Sequence, residues 1–215
     1  METLFTILSC GYIFFAMSTA STMRFGVALR SYILASTTLG LLILILGYRE
    51  SSLHLLALGL LTLIFKVLLI PTFMQYFFSL SGVRPQIGSR SKPTLTRFIS
   101  FIIILFVSIT LVFFGNGHFL NHNLLITIAA FASVGIASLS LVFAKSTYGQ
   151  LFGILMIENA FSLLILALGV QFHLSIEFWL LCTALVAWMI MHILSDRIRA
   201  VFGVETVSTL NELSE

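Results

Sequence analysis

Apolar residues run along this chain in long unbroken stretches, not in strict alternation. The stretches cover residues 3–23, 28–48, 53–79, 98–115, 123–144, 149–170 and 174–194, separated by short polar breaks. Each is close in length to the roughly 20 residues that an α-helix needs to cross a hydrocarbon core. A lipid-buried backbone has to satisfy its own hydrogen bonds. Continuous apolar runs therefore predict helices, whereas a barrel would require alternating polarity. The expected fold is all-α, a polytopic transmembrane helical bundle of about seven spans.

The longest break, SGVRPQIGSRSKPTLTR from Ser81 to Arg97, holds two of the three prolines and four basic residues. It divides the chain into an N-terminal three-span unit (1–80), a basic loop (81–97), a four-span unit (98–195) and a short polar tail (196–215). The opening segment METLFTILSC lacks the basic flank of a secretory signal, and no small-residue cleavage site follows it. It is expected to be retained as the first span.

Composition agrees with this picture and narrows the function. The 215 residues are 59% hydrophobic and only 9% charged, against roughly 25% charged in a soluble domain. Such a chain cannot cover a core with polar surface, which excludes a cytosolic enzyme, a disordered segment and a secreted disulfide scaffold. Cys10 and Cys182 stand alone inside apolar runs, without the CxxC or Cys/His spacing of an iron–sulfur or zinc site. Both are expected to serve as small packing residues. The net charge of +3 is no nucleic-acid footprint, because the basic residues are scattered among short loops.

The distribution of those charges gives an orientation. With seven spans, alternate loops and the tail share one face. That face carries Arg24, Arg30, Arg84, Arg90, Lys92, Arg97, Lys145, Arg197 and Arg199, nine of the 11 Lys and Arg. The other face carries Arg49 alone, and Lys66 lies within a span. The asymmetry predicts an N-terminus outside and a C-terminus in the cytoplasm.

Charged groups inside hydrocarbon are costly, which makes them candidates for function. Lys66 sits in LLTLIFKVLLIP, and Glu158 sits in GQLFGILMIENAFSLLIL. Lys66 should lie about 20 Å below the outer end of its span and Glu158 about 14 Å from the inner end of its own. In a core about 30 Å thick these depths agree to within about 5 Å, close enough for the two to pair. Low dielectric disfavours the charged form of either group, and a nearby opposite charge restores it. Moving such a pair together or apart would drive proton uptake or release. The same pair could instead be static and fix helix packing.

Pro71 follows Lys66 by five residues and is expected to kink the helix, freeing the carbonyl of Val67 beside the lysine. Asn159, next to Glu158, is expected to donate a hydrogen bond within the bundle. Glu177 enters the last run about one turn from its outer end, where it either faces water or acts as an outer proton port. His54, at a similar depth at the start of the third run, is a supporting candidate. His118, His122 and His173 fall in outer loops. His192, at the inner end of the last run, lies at the opposite membrane face from His54, so the two cannot share a haem iron. No cofactor is expected.

The segment from Lys145 to Leu166, with its G-x-L-x-x-E-N core (Gly153, Leu155, Glu158, Asn159), resembles the hydrogenase-4 membrane component E family. Other positions agree in order: Ser31-Tyr32, His54-Leu55, T-x-x-x-K-V-L-L-I-P from Thr62 to Pro71, Arg197-Ile198, Gly203-Val204-Glu205 and Leu210. The last three spans of that family are similar to the small K-type subunit of respiratory complex I. The resemblance implies a membrane-arm subunit of a formate hydrogenlyase or hydrogenase-4-like complex in a bacterial inner membrane. Its partners would be antiporter-like and other membrane subunits. It would add charged residues to a lateral proton-translocating chain, Glu158 at the K-type carboxylate position and Lys66 as the component E lysine. Redox chemistry would then belong to other subunits, this one being non-catalytic. Where the resemblance leads one to expect a second acid in the last span, this chain has Thr183. Two alternatives stay open: a subunit of an Mrp-like cation/proton antiporter, moving sodium or protons, and a non-conducting assembly subunit.

Overall fold

The computed structural model describes residues 2–22, 24–81, 94–114, 124–144 and 146–169, and the single positions 182, 183, 186, 189, 190, 193 and 197. Among the described residues the architecture is all-helical. The elements are α1 (Glu2–Ser21), α2 (Phe25–Arg49), α3 (Leu53–Thr62), a π-helical segment (Leu63–Leu69), α4 (Ile70–Ser81), α5 (Thr94–Phe114), α6 (Leu124–Phe143) and α7 (Thr147–Ala167). The α3, π and α4 segments follow one another without a break and make up the third apolar run. Five stretches are long and apolar enough to cross a membrane: Thr3–Ser21, Phe25–Arg49, Leu53–Tyr76, Leu124–Phe143 and Tyr148–Ala167. Glu177, His118, His122, His173 and His192 lie outside the described residues.

Local chemistry ends the helices where the apolar runs end. At the close of α2, Ser51 adopts a left-handed φ of 51°. The N–H of Ser52 donates to the Gly47 carbonyl at 2.9 Å, and that of Ser51 to the Tyr48 carbonyl at 3.3 Å. This is the Schellman closure, with serine in the place that glycine usually fills. Ser52 then caps α3, its hydroxyl accepting from the Leu55 N–H. One short turn thus ends one helix and starts the next. At the other end of the bundle Ser146 caps α7, accepting from the Gly149 N–H at 3.1 Å.

The helices pack as antiparallel neighbours, α1 on α2, α2 on α3 and α6 on α7. Further contacts join α1 to α6 and α2 to α7. The starts of α2 and α7 lie at the same end, because the Phe25 ring sits 6.3 Å from that of Tyr148 and 5.6 Å from that of Phe152. The core of the bundle is therefore the group α1, α2, α6 and α7, with α3 flanking α2 and α5 flanking α6.

Two glycines permit close approach of neighbouring backbones. A Cβ at Gly47 would lie 2.9 Å from the Leu56 backbone nitrogen, and one at Gly153 would lie 3.0 Å from Leu141 Cα. Without a side chain at these positions the backbones of α2 and α3, and of α6 and α7, can close together, as small residues allow in membrane bundles.

Large apolar side chains also cover the outside. Ile7, Phe14, Leu34, Leu60, Leu68, Phe106, Leu111 and Val142 all face away from the bundle. A water-soluble protein would not carry an apolar surface of this extent, whereas lipid tails solvate it without cost. Cys10 and Cys182 are exposed among them. Neither fills a gap between helices as expected. In a helix apolar on every side, composition does not mark which face turns inward.

Candidate functional site

Lys66 and Glu158 meet inside the bundle. The ammonium Nζ of Lys66 lies 3.1 Å from Glu158 Oε1, and the two side chains are 0% and 6% exposed. Lys66 comes from the π segment and Glu158 from the middle of α7. The depths inferred from sequence therefore correspond to a contact. The lysine also donates to Ser162 Oγ at 3.2 Å. The Ser162 hydroxyl donates in turn to the Glu158 carbonyl at 3.1 Å, one turn back on the same helix. A serine four residues beyond a glutamate lies on the same helical face, so Ser162 offers Lys66 a second acceptor beside the carboxylate.

Pro71 explains the unusual backbone around Lys66. A proline ring in an α-helix clashes with the carbonyl four residues earlier. Widening the turn to the π register moves that carbonyl aside. The last bond of the widened segment runs from the Ile70 N–H to the Phe65 carbonyl. The next donor in that register would be residue 71, and the carbonyl it would meet is that of Lys66. In this register the bond omitted by proline is the one to the Lys66 carbonyl, where an α-helical register would free that of Val67. Pro71 itself is buried.

Asn159 does donate within the bundle. Its side-chain nitrogen reaches Ser36 Oγ on α2 at 2.8 Å, and both residues are 0% exposed. Adjacent residues of α7 thus point to different partners, Glu158 to the third span and Asn159 to α2. His54 lies at the exposed first turn of α3, away from the ion pair. Thr183 is exposed. Ser162 and Ser36 were not singled out from sequence. Ser162 carried a signal in its four-residue spacing from Glu158. Ser36, one of several hydroxyl residues in ASTT, carried none.

The arrangement offers charge and hydrogen bonding in a buried interior. Among the described residues no three His, Cys, Asp or Glu side chains gather as metal ligands would. The pair can exchange a proton, if its separation changes, or it can clamp the third span to α7. No family model, curated protein or solved structure matches the chain.

Proposed function

We propose that this chain is a membrane subunit of a hydrogenase-4 or formate hydrogenlyase-like, complex I-related assembly, and that the Lys66–Glu158 pair contributes to proton translocation within it. The supporting observation is the meeting of two sequence blocks. Thr62 to Pro71 and Gly153 to Asn159, on which the resemblance rests, supply the two halves of one buried ion pair 3.1 Å apart. Buried intramembrane acids and bases commonly mark proton pathways.

In this reading the chain has seven spans in a bacterial inner membrane, its N-terminus outside and its C-terminus cytoplasmic. The charge asymmetry supports that orientation. The partners are antiporter-like and other membrane subunits, and the redox centres that supply the driving force belong to other subunits of the complex. Separating the ammonium from the carboxylate favours proton binding at Glu158, and their return expels the proton. Lys66 is thus the counter-ion that sets the proton affinity of Glu158, the proton-carrying residue.

Proton pumping by the intact complex with Glu158→Gln tests the relay. Pumping should fall while the complex still assembles, and undiminished pumping at normal assembly rejects the relay. Lys66→Met is the companion variant. The enclosure of the pair favours one second reading, a static clamp. It holds if Lys66→Met reduces the amount of assembled complex while pumping per complex is unchanged.

A further inference from the structure

A second set of polar groups is buried at the junction of α1, α2, α6 and α7. Tyr12 of α1 is 0% exposed, and its hydroxyl is oriented towards Ser133 of α6 without closing a direct hydrogen bond. Ser133 is itself 0% exposed and donates to the Ala130 carbonyl of its own helix, leaving its oxygen able to accept. Asn159 of α7 spends its amide nitrogen on Ser36, but its amide oxygen is buried without a partner. A donor and an acceptor are therefore both unsatisfied in a bundle whose other polar side chains largely bond their own helices.

Helix registers place these groups at one depth. On the α1–α2 hairpin, Ser18 bonds Ser31 at 2.9 Å, and a Cβ at Gly11 would lie 3.9 Å from Thr38. Tyr12 is thus level with the turn of α2 that carries Ser36. On the α6–α7 hairpin, Gly153 lies against Leu141. Following the antiparallel helices from there brings Ser133 within about one turn of Asn159. The inward face of α6 beside them is built from the small residues Ala129, Ala130 and Ala137.

Leaving a buried hydroxyl and a buried amide oxygen unsatisfied costs about 1–3 kcal/mol each, and interior water is the usual remedy where two or more polar groups converge. We infer that an ordered water binds at this four-helix junction. It accepts from the Tyr12 hydroxyl and donates to Asn159 Oδ1 and to Ser133 Oγ. Three partners match the typical coordination of a buried water. This site does not depend on ion translocation. Asn159 follows Glu158 directly in α7, so the water site adjoins the ion pair along that helix.

Hydroxyl-radical footprinting by X-ray radiolysis of water tests the inference on the full-length protein in native membrane vesicles. Radicals formed at a bound interior water label the side chains beside it. Tyr12 should be labelled severalfold more than Phe152, an enclosed aromatic at 2% exposure, after correction for intrinsic reactivity. Asn159→Leu should bring Tyr12 down to the Phe152 level. Labelling of Tyr12 no greater than that of Phe152 in the unaltered protein overturns the site. If Asn159→Leu accumulates normally and leaves Tyr12 labelling unchanged, the shared site is overturned too. The first comparison needs no variant, so a misfolded Asn159→Leu does not decide the question.

Discussion

Replacing Lys66 with methionine removes the cation from a carboxylate that is only 6% exposed and fixed in the middle of α7. Methionine fills much of the lysine volume, so the loss is chiefly electrostatic. Leaving one member of a buried ion pair alone costs about 3–5 kcal/mol in soluble proteins. Insertion scales put a single charged side chain at a helix centre near 3 kcal/mol, and we take about 3 kcal/mol as the expected loss. For a chain of this size each kcal/mol moves the thermal midpoint by about 2–4 °C, so Lys66→Met should lower it by about 6–12 °C. The double variant Lys66→Met/Glu158→Leu removes both charges and should recover most of that loss, since apolar replacement of a whole buried pair is often neutral or stabilising. The assay is heat-induced loss of the monodisperse species in detergent, for the wild type, both single variants and the double. Non-additivity of about 2 kcal/mol or more is the signature of the pair. If the effects of Lys66→Met and Glu158→Leu simply add, the two charges do not stabilise one another, and the reasoning from the 3.1 Å contact fails.

Gly153→Val should separate α6 from α7, because its first added carbon would already lie 3.0 Å from Leu141 Cα. Overpacking of this kind costs about 1–3 kcal/mol, readable as a lower thermal midpoint and impaired accumulation in the membrane. Ser51→Gly should raise the midpoint, since serine at φ 51° bears a strain of about 1 kcal/mol that glycine lacks. Ser146→Ala should lower stability by about 1 kcal/mol through loss of the cap on the Gly149 N–H. An unchanged midpoint would show that water or lipid headgroups satisfy that group instead.

Helix positions were easy to read in this chain, and helix faces were not. The runs 28–48 and 149–170 correspond to α2 (Phe25–Arg49) and α7 (Thr147–Ala167), because length and continuous apolarity are what a bilayer demands of a span. The depth of each charge follows from counting along its own span, 53–79 for Lys66 and 149–170 for Glu158, and the two depths match. Facing is a different matter. A helix apolar all round gives no periodic signal, so neither the outward position of Cys10 nor the inward position of Ser36 was legible. The π segment was half legible. Pro71 announced a disturbance, but a kink and a widened turn relieve the same clash, and the residues around Lys66 do not distinguish them.

The aromatic contacts at the starts of α2 and α7 have a mechanical consequence. Phe25 joins Tyr148 and Phe152 at one end, and deeper in the bundle Asn159 is tied to Ser36. Together they fasten α7 to α2 at two heights and hold Glu158 on a rigid frame. Lys66 instead rides on a widened turn, with the weaker backbone hydrogen bonding that proline imposes. The ion pair thus joins a helix tied to α2 at two heights to a widened turn of the third span. In the proposed relay, a separation of the two charges would fall on the lysine side, where Pro71 sits beside the widened turn.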